Sequence, residues 1–393
     1  MIYLDHAATT YVKEEVLKEM LPYFTEHFGN PSSVYEIARQ SHAALDHARS
    51  QVAKALNAKF DNEIYFTSCG TESDNWAIKG TARAHSKKGK HIITSQVEHH
   101  AVLDTCKALE QDGFEMTYLP VDSYGMVSPQ DVEQAIRPDT ILISIMFANN
   151  EVGTINPIRE IGAIAKKHGV LFHTDAVQAI GHVPVDVQDM NIDMLSLSGH
   201  KFYAPKGVGA LYIRNGIAVD KFMHGGAQER KRRAGTENLA SIVGMGKAIE
   251  LAVEKMPEES KRLCELRDYF IHRLLTEMDY ISLNGHPTKR LPGNVNVAIE
   301  FVEAEASLLS LDLVGVACSS GSACSSGSVE SSHVLLAMGL ANEVAKGSLR
   351  FTMGEKTTKE DIDYTVENLK NIISRLREVS PLFAQKKGDK KHV

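Results

Sequence analysis

The chain has 393 residues, a net charge of −7, 43% hydrophobic and 24% charged residues, the balance of a soluble globular protein long enough for two domains. That charge gives no reason to expect nucleic acid as a main partner, and no apolar run approaches the roughly 18–20 residues that cross a membrane. The start, Met1-Ile2-Tyr3-Leu4-Asp5-His6, lacks a signal peptide's basic and apolar regions, and five cysteines (Cys69, Cys106, Cys264, Cys318, Cys324) suit a reducing compartment. The expectation is a cytoplasmic protein with no membrane or nucleic-acid role.

A helical pattern starts near Lys13, and Gly29-Asn30-Pro31-Ser32-Ser33 precedes an amphipathic helix over 35–56. Strands over 63–67, 91–95, 115–121, 140–148, 170–175, 193–198 and 208–214 then alternate with helices starting near 71, 100, 128 and 158. Strands this uniformly apolar, separated by helices, predict a mostly parallel seven-stranded sheet covered on both faces. A glycine-rich, basic passage over 224–238 reads as a solvated loop. A helical region over 239–278 is expected to break at Pro257. The pattern then becomes α+β, with strands over 294–301 and 348–353 and helices over 305–311 and 358–379. The expected organisation is an N-terminal segment, 1–14, packing with the small domain; a large domain, 15–255; a small C-terminal domain, 256–380, with a Ser/Gly/Ala-rich loop at 316–330; and a disordered tail, 381–393.

Ligands of an open α/β sheet collect beyond the carboxyl ends of its strands, and several polar groups fall there. Lys201, in Ser198-Gly199-His200-Lys201, lies on a short turn between two core strands, where a buried amine readily shifts its pKa and serves as a Schiff-base lysine. Gly70-Thr71, in Ser68-Cys69-Gly70-Thr71-Glu72-Ser73, joins a strand to a helix and suits either a phosphate or a plain N-cap. His99 suits a cap, a core histidine or an aromatic lid over a planar ligand; a metal reading lacks partners at ligand spacing. Asp175 leaves an apolar strand and needs a cation opposite, either an ordinary ion-pair partner or a protonated pyridine nitrogen. Asn149-Asn150-Glu151 adds hydrogen-bonding groups to the same edge.

These residues, in this order, resemble the cysteine desulfurases of the iron–sulfur and nitrogen-fixation type, within the fold-type I pyridoxal phosphate enzymes. The resemblance covers residues 1–380 and rests on Tyr3-Leu4-Asp5-His6-Ala7-Ala8-Thr9-Thr10, Gly29-Asn30-Pro31-Ser32-Ser33, Gly70-Thr71-Glu72-Ser73-Asp74-Asn75, Asn149-Asn150-Glu151-Val152-Gly153, Ser198-Gly199-His200-Lys201, Arg233-Ala234-Gly235-Thr236-Glu237-Asn238 and Ser319-Ser320-Gly321-Ser322-Ala323-Cys324. It implies that Lys201 forms the Schiff base with pyridoxal 5′-phosphate, Asp175 pairs with the pyridinium, His99 stacks on the ring and exchanges protons, and Gln178 bonds the phenolic oxygen. It further implies phosphate contacts from Gly70, Thr71, Ser198 and His200, with Thr236 supplied by the other subunit of a homodimer. Asn150 and Arg350 match the clamp on the carboxylate of L-cysteine. Cys324 matches the nucleophile, carried on a loop that moves between substrate and an acceptor such as an iron–sulfur scaffold protein. Cys318 does not match it but lies near enough in sequence for an occasional disulfide. Cys69 departs from the family, which commonly has glycine there, and puts cofactor seating or a redox-sensitive thiol in question.

Overall fold

The computed structural model describes residues 1–320 and 331–389. Its main sheet runs, edge to edge, Ile64–Thr67, Gly209–Ile213, Met194–Ser198, Leu171–Asp175, Thr140–Ser144, His91–Ser95, Glu115–Leu119. Only Gly209–Ile213 runs against its neighbours. The other strands share one direction, so their carboxyl ends lie on one edge.

Alternating side chains serve two cores, as the period of two requires. Ile143, Phe172, Leu195 and Tyr212 pack under the helices Glu36–Ala55 and Leu239–Glu277. Ile92, Leu142, Met194 and Leu211 pack under Gly70–His85 and His100–Gln111. Both faces being covered explains why these strands read as unbroken apolar runs.

The C-terminal part is an antiparallel sheet of Ser348–Thr352, Asn294–Ile299 and Ile281–Leu283 with a separate core that includes Phe270, Val297, Phe351 and Leu369. The N-terminal residues belong to both parts. Ile2–Tyr3 pairs with Val316–Ala317 and Leu4 enters the small core. A few residues on, Thr10 bonds to His200, and the Lys13 amide donates to the Tyr203 carbonyl.

Two expectations are corrected. The helix Leu239–Glu277 runs unbroken through Pro257. The carbonyl that Pro257 leaves without its N–H belongs to Val253, an exposed residue, so the missing bond costs less than in a buried turn. The boundary expected near 255 lies within this helix, between its last residue in the main core, Ile249, and its first in the small core, Leu263. Finally, Pro381–Asp389 is helical, not disordered: Phe383 packs its ring against Phe301 and Tyr280, at 5.6 and 6.1 Å, an anchor that the lysine-rich composition conceals. Among the described residues no helix is long and apolar enough to cross a membrane.

The small core rests on a pair of fully buried rings, Phe270 and Phe351, 5.2 Å apart. Phe270→Ala is expected to destabilise the protein by about 3–5 kcal/mol, measured as a lowered urea midpoint by circular dichroism.

Candidate active site

A cavity of about 370 Å³ opens at the carboxyl edge of the main sheet. Gly70, Thr71, His99, Asn150, Asp175, Gln178, Ser198, His200, Lys201 and Arg350 all line it, bringing together side chains from six separate stretches of chain. Thr236 is exposed and lies outside the cavity. Cys324 falls outside the described residues.

Lys201 ends a single 3₁₀ turn, Gly199–Lys201, directly after the strand Met194–Ser198. Its Nζ donates to the carbonyls of Ala7 and Ala8, at 2.5 and 2.9 Å. Gln178 Nε2 donates to the same Ala7 carbonyl, at 3.0 Å. The turn is held from behind by Tyr203, a non-glycine residue at φ +67°, a conformation that costs energy unless its surroundings enforce it. They do: its amide donates to Thr10 Oγ1 at 2.9 Å and its hydroxyl accepts from the Glu355 amide at 2.9 Å.

At one end of the cavity the helix Gly70–His85 begins without a side-chain cap from Cys69. The first N–H groups of a helix have no intrahelical partner and carry its positive dipole end, so they favour an anion. Gly70 is required here, because a Cβ would lie 2.7 Å from Val177 Cγ2. Ser198 lies beside it, its Cβ 3.4 Å from where a Gly70 Cβ would sit, and His200 lines the same cavity. His200 Nδ1 lies 3.1 Å from Thr9 Oγ1, and burial, then Lys201 and Lys206, push the imidazole down to about 4.

Asp175 is buried, and its Oδ1 accepts from the Val177 amide at 2.9 Å. Burial pushes its carboxyl up, opposed by His99, the Val177 N–H and Lys201. His99 caps the helix His100–Gln111: its Nδ1 accepts from the Ala101 amide at 3.1 Å, which leaves the ring proton of the neutral form on Nε2. Burial lowers this imidazole's pKa, keeping it neutral near pH 7. At the other end, Arg350 Nη1 donates to the Asn150 carbonyl at 2.9 Å and Nη2 to Asp5 Oδ1 at 2.9 Å. Its buried Nε has no hydrogen-bond partner among the described residues.

Five contributors had no role in the sequence reading. Asp5 and the carbonyls of Ala7 and Ala8 come from the N-terminal segment; main-chain carbonyls carry no side-chain signal. Asp74 lines the cavity one helical turn after Gly70, a spacing that puts both on one face. Glu98 lies beneath: Oε1 accepts from Ser95 Oγ at 2.6 Å and from the Met146 amide at 3.0 Å. The 224–238 passage is also more than a solvated loop. Glu229 is buried against Arg49 at 2.8 Å, and Arg233 pairs with Glu72, at 2.7 Å, on the helix that begins at Gly70. Cys69 lines the cavity. The Cys318 thiol is pushed up to about 12 by burial and by Asp5, which leaves it little thiolate for disulfide exchange near neutral pH.

The aminotransferase class-V family model matches residues 2–365. A cysteine desulfurase IscS of Methanosarcina thermophila is 60% identical over 381 residues, 97% of this chain and 94% of that one. A cysteine desulfurase IscS of Dictyoglomus turgidum is 56% identical over 390 residues, 99% of both chains. Among solved structures, a NifS-like protein superposes with a TM-score of 0.89 at 38% identity, covering 95% of this chain and 99% of that one. A structure described as SspA in complex with cysteine gives 0.80 at 40% identity, covering 90% and 99%.

Burial drives the Glu98 carboxyl up to about 8, against an ordinary value of about 4.3. Between those values the folded state keeps a proton that the unfolded chain has lost. Its contribution to stability is therefore complete at acid pH and is lost as pH rises through about 8. Glu98→Gln cannot ionise, so its urea midpoint should fall less steeply between pH 5 and 8 than the wild type's; equal slopes would assign the proton elsewhere.

Proposed function

The chain belongs to the class-V aminotransferase family, and from that premise we infer that it is a cysteine desulfurase, converting L-cysteine to L-alanine and passing the sulfur on as an enzyme persulfide. The observation that carries this reading is the cavity in which Lys201, Asp175, His99 and Arg350 meet, in a chain 60% identical to a cysteine desulfurase over 97% of its length.

The donor set fits pyridoxal 5′-phosphate. A helix start without a side-chain cap, next to Ser198 and His200, suits the phosphate. A buried carboxyl whose pKa is raised by burial, Asp175, gains from a cationic ring nitrogen brought against it. Gln178 offers an amide to the phenolic oxygen, and Lys201 the amine that holds the aldehyde carbon. Thr236, exposed on its own subunit, would complete the phosphate site of a second copy in a homodimer. When bound, the cofactor supplies an electron sink for bonds to the substrate's α-carbon.

The protein's own groups do the rest. Arg350, with Asn150, takes the substrate carboxylate, for which a planar guanidinium offers paired donors. Lys201 Nζ moves the α-proton. His99, neutral with its proton on Nε2, exchanges a proton with the substrate. The Cys324 thiolate forms an S–S bond to the substrate sulfur as the C–S bond breaks. The electron pair stays on carbon, which takes up a proton, leaving L-alanine and the Cys324 persulfide. An iron–sulfur scaffold protein or another sulfur acceptor then removes the sulfur.

Two variants divide the roles. Lys201→Ala should lose the visible absorbance of the bound cofactor and all turnover. Cys324→Ser should keep that absorbance yet release no sulfide from L-cysteine under reductant. Sulfide release by the second variant at the wild-type rate would overturn the proposed nucleophile.

A further inference from the structure

We propose that Asp5 is a positioning residue for Arg350, fixing the guanidinium so that its remaining donors meet the substrate's carboxylate. This rests on the desulfurase reading for the substrate but goes beyond it in assigning Asp5. Arginine has five N–H donors in one rigid plane. Here one Nη2 hydrogen is spent on Asp5 Oδ1 at 2.9 Å and one Nη1 hydrogen on the Asn150 carbonyl at 2.9 Å. Two contacts on the outer nitrogens fix the plane, and Nε is left buried without a hydrogen-bond partner among the described residues. A buried donor in that state calls for an acceptor that the folded chain has not supplied.

Asp5 is itself fixed rather than a chance surface partner. The Tyr3 hydroxyl donates to the carbonyls of Asp5 and Thr9, at 3.0 and 2.8 Å. Asp5 forms a β-bridge with Thr352, two residues along the strand from Arg350. The amides of His6 and Ala7 then donate to the carbonyl and the hydroxyl of the same Thr352. The pair is shielded, with Arg350 at 3% and Asp5 at 19% side-chain exposure.

A second carboxyl competes for the arginine. Glu151 is buried and within its electrostatic reach, but its Oε2 accepts from Ser332 Oγ instead. Without Asp5 the guanidinium is free to turn toward Glu151 and leave the substrate edge. The charge matters less than the acceptor: an Asn side chain at position 5 keeps an oxygen where Oδ1 lies.

The test uses holoenzyme, with steady-state kinetics on L-cysteine and calorimetric binding of L-alanine and of ethylamine, which lacks the carboxylate. Asp5→Ala should raise KM for L-cysteine and Kd for L-alanine about tenfold, with kcat within about threefold. Ethylamine binding and the cofactor's visible spectrum should not change. Asp5→Asn should recover most of the lost affinity. A wild-type KM in Asp5→Ala, an equal loss for ethylamine, or an Asp5→Asn as weak as Asp5→Ala would each overturn the proposal. If the alanine variant folds poorly, an Asp5→Asn holoenzyme with a KM for L-cysteine about tenfold above the wild type's overturns the proposal by itself. Wild-type protein that binds L-alanine but releases no sulfide from L-cysteine would fail the desulfurase reading alone.

Discussion

The site depends on a strip of main chain, residues 4–10, laid across the mouth of the sheet. Its carbonyls at Ala7 and Ala8 receive the Lys201 amine, Ala7 also receives Gln178, Thr9 meets His200, and Asp5 meets Arg350. A partly buried amine needs acceptors for its N–H groups to offset its desolvation. These come from backbone oxygens, which stay neutral and cannot be titrated away. Further ties from this strip to Thr352 and Tyr203 fasten it both to the C-terminal sheet and to the turn behind Lys201. Without this strip the lysine would lose both of these acceptors.

Beneath the cavity a second constraint operates. Asp74, Glu98 and Asp175 are all buried, and burial raises the pKa of each. Two of them also feel the charge of another: Asp74 and Glu98 are both raised further by Asp175. Buried carboxylates this close cannot all ionise cheaply, so the group best supplied with stabilising neighbours keeps the charge. Asp175 has His99, the Val177 amide and Lys201 on its side. His173, bonded to Ser144 and Ser196 and driven down to about 3 by burial, stays neutral and adds no countercharge below.

Most of this architecture was legible in the sequence, because parallel strands covered on both faces leave a strong apolar signature, and polar residues at their carboxyl ends stand out against it. Gly70, His99, Asp175 and Lys201 were visible for that reason. Asp5 stood in a recognisable motif without an evident role, since its partner is 345 residues away and the chain alone does not reveal that pairing. The Ala7 and Ala8 carbonyls left no trace at all, being main-chain atoms of the least distinctive side chain. Pro257 misled by a general rule that holds in buried turns and relaxes at an exposed one. Phe383 misled in the opposite sense: one aromatic anchor orders Pro381–Asp389 despite its charged composition.

The helix Leu239–Glu277 has a mechanical consequence. Its first half belongs to the core that holds Phe202 and Ala204, directly behind the Lys201 turn. Its second half carries Phe270, which packs on Phe351, the neighbour of Arg350. One rod thus backs both the amine and the guanidinium, and serves as a ruler between them. A bend anywhere along the rod would therefore change the distance between the two.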